Sequence, residues 1–225
     1  MSTFIQVKKR CAMCGKSHTF REIRGYTLMG SCDLDNRPPM LKRAALGVEI
    51  QMCDHCFYSN RDISKRVSGM KMYTLSSDEY QSVIKNREIA NTTGQAYWLS
   101  SIIHAQRGDY KTAGYLALSS AWSFDDRYDR EYSTLMRKRA IECFEREIAP
   151  EYQLNINMAC ILVDMKRRIG DFDGAITVAE YLINQASENK ENLGEIIEKV
   201  LNFQIELCKD GNTRCYRISD AIGEE

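Results

Sequence analysis

The chain has 225 residues, of which 44% are hydrophobic, and its 31 Lys and Arg balance 31 Asp and Glu to a formal net charge of zero. This composition is ordinary for a soluble globular protein of one or two domains. It excludes a membrane span, because no apolar run approaches the roughly 20 residues that one needs. The N-terminus also lacks the apolar region of a signal peptide, so we expect a cytoplasmic protein.

Residues 1–75 are predicted to form short strands and loops. Residues 3–7 are strand-like, and the alternation of apolar and polar residues over 48–52 predicts a half-buried strand. The segment 33–39 is predicted to be a loop, because its two final prolines push the preceding residues out of helical conformation. This part of the chain carries 13 Lys and Arg against six Asp and Glu, whereas the remainder is acidic. The change of charge predicts a domain boundary near residue 75.

Four of the nine cysteines form two Cys-x-x-Cys pairs, Cys11/Cys14 and Cys53/Cys56. Two such pairs on separate turns supply the four thiolates of a tetrahedral site, as in zinc ribbons. A closed set of four thiolates leaves no position for a reacting water, so we predict structural Zn²⁺. A rubredoxin-like iron site uses similar ligands and remains an alternative. Ordinary reduced thiols or a redox pair are the other interpretations.

Three residues near the pairs are further candidates. We expect His18 to be a loop residue and His55 to face solvent, since four cysteines already complete the ligand set. Cys32 is interpreted as a buried or spare thiol. The Asp33–Pro39 loop that follows it is expected to form local caps and ion pairs, or else to recognise a partner.

Helical periodicity begins near Ser76, where Ser76 and Glu79 predict a capping box. We expect a domain over 76–225 that is mainly α-helical, preceded by a small β-rich, zinc-ribbon-like head over 1–75. The predicted helices are 77–90, 94–107, 110–123, 128–148, 152–168, 172–187 and 192–209.

The helical part contains an internal repeat with an offset of 62 residues. The sequence Gly108-Asp109-Tyr110 is echoed by Gly170-Asp171-Phe172, and each is followed by an alanine. Glycine can end one helix in the left-handed conformation, and aspartate can cap the next. This turn resembles the helical hairpin of tetratricopeptide repeats and predicts tetratricopeptide-like helical hairpins.

The two cysteine pairs, the Asp33–Pro39 loop between them and the helix over 117–122 together resemble the bacterial domain-of-unknown-function 2225 family. This resemblance implies a four-cysteine head followed by a tetratricopeptide-like helical region. It implies no reaction, because the family has no established activity.

The sequence carries no Ser/His/Asp or Cys/His signature and no Gly-rich phosphate loop, so we expect a non-enzymatic protein. The first hypothesis is a scaffold that binds a protein or peptide on its helices, with Asn155, Asn157, Tyr97 and Tyr115 as candidate contacts. The second is nucleic-acid binding by the basic residues of 1–75. The third is redox or metal sensing through Cys32 and the four paired cysteines.

Overall fold

The structure, a computed structural model, describes residues 3–25, 29–43, 45–148, 156–188 and 194–223. Within these ranges the chain is mainly α-helical with a small two-stranded β head at its N-terminus, as predicted. The strands are β1 (Thr3–Arg10), β2 (Ser17–Gly25), β3 (Gln51–Met52) and β4 (Ser59–Asn60). The helices are α1 (Met40–Arg43), α2 (Asp78–Lys85), α3 (Thr93–Gln106), α4 (Tyr110–Asp125), α5 (Arg130–Ile148), α6 (Ile156–Arg168), α7 (Phe172–Glu188), α8 (Glu195–Lys209) and α9 (Ile218–Ile222). None of the helices in these ranges is long and apolar enough to cross a membrane.

Strands β1 and β2 form an antiparallel hairpin, and β3 and β4 form a second, very short one. The strand predicted over 48–52 is therefore mostly wrong, since only Gln51 and Met52 lie in β3 and Leu46–Val48 is a 3-10 helix. The alternation fails at Gln51, which is polar yet only 2% exposed. Its amide oxygen accepts from the Ile63 backbone N–H at 3.0 Å, so the side chain can be buried without losing its hydrogen bond.

Most helix bounds agree with the prediction to within a few residues, but the helix predicted over 77–90 ends at Lys85, and α1 and α9 were not predicted. The predicted first cap is wrong by one position. Ser77, and not Ser76, is the N-cap of α2, and its Oγ accepts from the Tyr80 backbone N–H at 3.4 Å. The reason is that residues 72–76 form a 3-10 helix, within which Ser76 Oγ donates to the Tyr73 carbonyl. The first residues of the helix predicted over 152–168, up to residue 155, lie outside the described residues.

The repeated turns have the predicted geometry. Gly108 and Gly170 have φ of 85° and 86°, a region that favours glycine. Asp109 then accepts from the backbone N–H of Thr112, and Asp171 accepts from the N–H three residues after it. The alanine four residues after each aspartate is fully buried, which lets the paired helices pack closely. These turns are compatible with a tetratricopeptide-like arrangement.

The chain divides into two compact units. Unit 1 comprises residues 1–29 and 40–143, and unit 2 comprises residues 30–39 and 144–225. Unit 1 has a core formed mainly by α3 and α4, and unit 2 has a core formed by α6, α7 and α8. This grouping differs from the predicted division at residue 75. That 1–75 and 76–225 are separately folding domains stays a prediction.

The Asp33–Pro39 loop belongs to unit 2, where it packs against the C-terminal segment. Its backbone pairs with that segment, since Leu34 N donates to the Tyr216 carbonyl at 2.9 Å. Asp35, which is 0% exposed, lies 3.2 Å from the Arg168 guanidinium of α6. The loop also makes the local bonds expected of it, such as Arg37 N to Asp35 Oδ1 at 3.2 Å. The ion pair with Arg168 is long-range, and it compensates the charge of a carboxylate that is buried away from water.

Candidate metal centre

The two cysteine pairs lie on turns of the same construction. The Cys11 carbonyl accepts from the Gly15 N–H at 2.9 Å, and the Cys53 carbonyl accepts from the Phe57 N–H at 2.9 Å. Gly15 has φ of 73° and Phe57 has φ of 58°, so both turns end in the left-handed region. A phenylalanine rarely adopts this conformation, which makes the second turn recognisable from its geometry although its sequence lacks the glycine.

The four thiols of these turns converge in unit 1. The Sγ atoms of Cys11, Cys14, Cys53 and Cys56 all lie within 4.8 Å of one another. Two of the separations are 3.7 Å, between Cys11 and Cys56, and 3.5 Å, between Cys14 and Cys53. A tetrahedral ion with metal–sulfur bonds of about 2.3 Å requires sulfurs about 3.8 Å apart. The arrangement therefore fits a metal ion of this kind, and these four residues could hold one.

Backbone N–H groups support negative charge on the sulfurs. The Met13 N–H points at Cys11 Sγ at 3.4 Å, and the Cys56 N–H points at Cys53 Sγ at 3.5 Å. Donors of this kind stabilise thiolates, which are the form that binds metal. The turns thus supply hydrogen bonds to the ligands as well as their spacing.

The pKa values of the thiols differ with their surroundings. Burial alone would raise the pKa of Cys14, but the Lys16 backbone N–H and the neighbouring thiols lower it to about 7. Burial raises the pKa of Cys53 and of Cys56, against the effect of nearby backbone N–H groups. Cys11 and Cys53 are buried, and four adjacent thiolates repel one another, so all four can ionise together only with a compensating cation.

His18 is the residue whose position the sequence did not predict. It lies in β2 and not in a loop, and its Nε2 is 3.2 Å from Cys53 Sγ. Its Nδ1 lies 3.4 Å from a carboxylate oxygen of Asp54, so the ring is held between the thiol and an acid. Residue 18 pairs with Lys9 across the hairpin. The sequence would have predicted this position only if both strands had been extended up to the first cysteine pair. His55 is exposed, as predicted.

The second turn is attached to the helices of unit 1. Tyr80 of α2, which is 0% exposed, donates from its hydroxyl to the Phe57 carbonyl at 2.7 Å. Ser59 Oγ donates to the Ala96 carbonyl of α3 at 2.7 Å. The position of the thiols is therefore coupled to helix packing by hydrogen bonds of buried groups.

Cys32 is not part of the thiol group, which is the one cluster of potential metal ligands among the described residues. Its carbonyl accepts from the Ile218 N–H at 2.8 Å within unit 2. The interpretation of Cys32 as a thiol outside the ligand set agrees with this position.

Comparison with known proteins gives one match. The family model described as an uncharacterized protein conserved in bacteria (DUF2225) matches residues 4–204, which is most of the chain and includes both cysteine pairs. The resemblance predicted from the sequence is confirmed by this match. No curated protein and no solved structure matches the chain.

Proposed function

We propose that the chain, which belongs to the bacterial DUF2225 family, is a non-enzymatic interaction protein whose N-terminal part is held together by structural Zn²⁺. The ligands are the thiolates of Cys11, Cys14, Cys53 and Cys56. The observation that carries this proposal is the convergence of the four Sγ atoms within 4.8 Å of one another. Metal binding would supply stability to a part of the chain whose strands β1 and β2 contain no fully buried residue.

Zinc is favoured over the other metals by the chemistry of the ligands. Four thiolates in a tetrahedral arrangement select Zn²⁺ or iron, and not a hard cation such as Mg²⁺. A closed set of four protein ligands is typical of structural zinc, since catalytic sites keep a position for water. Iron in the same four-thiolate set is the competing occupant.

Metal analysis of the purified full-length chain tests this part of the proposal. We expect one zinc per chain by native mass spectrometry, and loss of the metal in Cys53→Ser. Cys32→Ser is the matched control, because that thiol lies outside the group, and it should retain the metal. A visible absorption band with iron in place of zinc would contradict the choice of metal. Full metal content in Cys53→Ser would contradict the site.

The proposed partner is a protein or peptide, and an exposed aromatic side chain at a turn of the helical part supports it. Tyr128 follows α4 with φ of 59° and is 93% exposed, although a bulky residue seldom adopts this conformation at a solvent-facing turn. Asn157 of α6 is also exposed. The prediction that Tyr97 contacts a partner is wrong, because this residue is 2% exposed and its hydroxyl donates to the Leu46 carbonyl at 3.0 Å. Asn155 lies outside the described residues.

Native affinity purification of the full-length chain tests the interaction. We expect a stoichiometric protein partner whose retention falls in Tyr128→Ser but not in Lys138→Gln, an exposed control on α5. The double variant Cys11→Ser/Cys14→Ser then separates the two parts, since a partner of the helices should survive loss of the metal. Equal retention by Tyr128→Ser and the wild type would contradict a role for this turn.

Nucleic-acid binding by the basic head is the second candidate, and the β1–β2 hairpin favours it. Lys8, Arg10 and Arg21 are exposed and lie on the same face of the hairpin, as their register shows. Arg21 stacks over the Phe4 ring at 4.5 Å. Cations combined with an aromatic side chain are typical of surfaces that bind single-stranded nucleic acid.

Fluorescence anisotropy of labelled single-stranded RNA with the full-length chain tests this candidate. Binding that weakens steeply with salt and falls in the double variant Lys8→Gln/Arg21→Gln would support it. The matched control is Lys85→Gln/Lys138→Gln, which removes the same charge from the helices. No binding at low salt would reject the candidate.

A further inference from the structure

Unit 1 contains a cleft of about 330 Å³ between β4 and the α3–α4 hairpin. Its volume is at the lower end of the range of about 300–1,000 Å³ that is usual for small-molecule sites. The residues that line it are Asn60, Arg61, Ser100, His104, Lys111, Thr112, Tyr115 and Leu116. Most of these residues are polar, and they belong to the segment of β4, to α3 and to α4. The Ser59 hydroxyl bonds β4 to α3, and the cap at Asp109 fixes the start of α4.

Two cations face this cleft without a counter-charge. Arg61 and Lys111 are both exposed, and neither has a carboxylate within 4 Å among the residues that the structure describes. The two neighbouring acids, Asp62 and Asp109, already have partners. Asp62 lies 2.8 Å from the Lys9 ammonium, and Asp109 lies 2.9 Å from the His104 ring. Cations gathered in one concave site focus a positive potential that an anion can relieve.

His104 adds a polar group of a different kind. Its side chain is 13% exposed, and its Nδ1 lies 2.9 Å from an Asp109 carboxylate oxygen. Burial lowers its pKa although Asp109 opposes the shift, so the ring is neutral near pH 7 and donates through Nδ1. Nε2 has no hydrogen-bond partner in the described part of the chain, and it is left as an acceptor for a ligand hydroxyl. The ring is thereby fixed in one orientation at the wall of the cleft.

We propose that this cleft binds a small ligand that carries an oxyanion, phosphate or carboxylate, held by Arg61 and Lys111. The guanidinium offers paired donors that match both oxyanions, and the ammonium adds a point charge. Asn60 does not serve this purpose, because its amide already donates to the Asp62 and Lys65 carbonyls. The proposal goes beyond the interaction function and is independent of the metal.

Amide chemical shifts of the full-length, metal-loaded chain test the proposal. The probes are inorganic phosphate and acetate, each titrated at constant ionic strength with chloride as the replaced anion. We expect saturable shifts at Lys111, Thr112 and His104 with at least one probe. The probe that saturates at the lower concentration identifies the oxyanion. Shifts that grow linearly with both probes, or that are spread evenly over the surface, would overturn the proposal.

Matched variants separate a site from general charge attraction. Arg61→Gln and Lys111→Gln should each weaken binding about tenfold, because each variant removes a charged hydrogen-bond donor to the oxyanion. Lys85→Gln removes an exposed charge of α2 away from the cleft and should bind as the wild type does. Equal weakening in all three variants would overturn the proposal. Because all three positions are exposed, these variants should keep the dispersed spectrum of the folded chain.

Discussion

Arg167 is a fully buried charge of unit 2, and its removal gives a sharp test of how that unit is held together. Its side chain is 0% exposed. Nη2 donates to Asp164 Oδ1 at 2.5 Å within α6. Nη1 donates to the carbonyls of Asn212 at 2.7 Å and Arg214 at 2.9 Å, which ties α6 to the C-terminal segment. The perturbation is Arg167→Met, which keeps much of the volume and removes the charge.

The cost follows from the groups that lose their partner. Asp164 is 2% exposed, and breaking a buried pair by removing one charge costs about 3–5 kcal/mol. Burial holds the pKa of Asp164 above its ordinary value of 3.8, against the lowering effect of Arg167. An acid whose pKa is raised in the folded state stabilises the fold while it is protonated. This contribution to the free energy of unfolding is present at low pH and is lost as the pH rises through the folded-state pKa. Without Arg167 the pKa of Asp164 rises further. The loss of unfolding free energy in Arg167→Met should therefore be larger at pH 8 than at pH 5.

The assay must report on unit 2. Both tryptophans, Trp98 and Trp122, belong to unit 1, so their fluorescence does not follow this unit directly. Hydrogen exchange of α6 peptides by mass spectrometry at the two pH values measures it directly. Arg214→Met is the control, because that side chain is exposed and Arg167 bonds only the backbone carbonyl of this residue. A deficit that is independent of pH, or no recovery in Arg167→Met/Asp164→Leu, would refute the electrostatic argument.

Three further substitutions have expected outcomes in unit 1. His18→Gln should release zinc to a chelator about tenfold faster than His55→Gln, because groups that hydrogen-bond a ligand tune metal affinity by about 10–100-fold; equal rates would contradict it. Gly94→Ala should lower thermal stability by about 1–3 kcal/mol, because the added Cβ would lie 2.6 Å from the Phe124 ring; an unchanged melting curve would mean that the ring moves aside. Ser59→Ala should cost about 0.5–1.5 kcal/mol in urea unfolding, because the buried Ala96 carbonyl loses its hydroxyl donor and keeps only the N–H of its own helix.

Short-range patterns were sufficient to identify the four cysteines that cluster and most of the helices. Cys11 and Cys14 are three positions apart, and so are Cys53 and Cys56, so each turn is encoded where it occurs. The caps at Asp109 and Asp171 are local in the same way. Helix bounds follow from a period of 3.6 residues, which averages over many positions and tolerates an error at any one of them.

Long-range pairing explains what the sequence did not predict. His18 approaches Cys53 only because β1 and β2 continue as a hairpin up to the first cysteine pair. Gln51 points inward because the Ile63 N–H, twelve residues away, meets its amide. Neither contact leaves a periodic signal, since each depends on a single residue at a distance set by the fold.

The segment 30–39 is the clearest example of a long-range contact that the sequence did not predict. It lies between the two cysteine pairs, yet it belongs to unit 2. A fragment of residues 1–75 would separate Asp35 from Arg168, so nucleic-acid binding has to be tested on the full chain. Replacing 30–39 by a Gly/Ser linker of equal length should leave the zinc content at one per chain and increase hydrogen exchange in α6 and α8. Loss of zinc with unchanged exchange in these helices would show instead that the segment supports the metal centre.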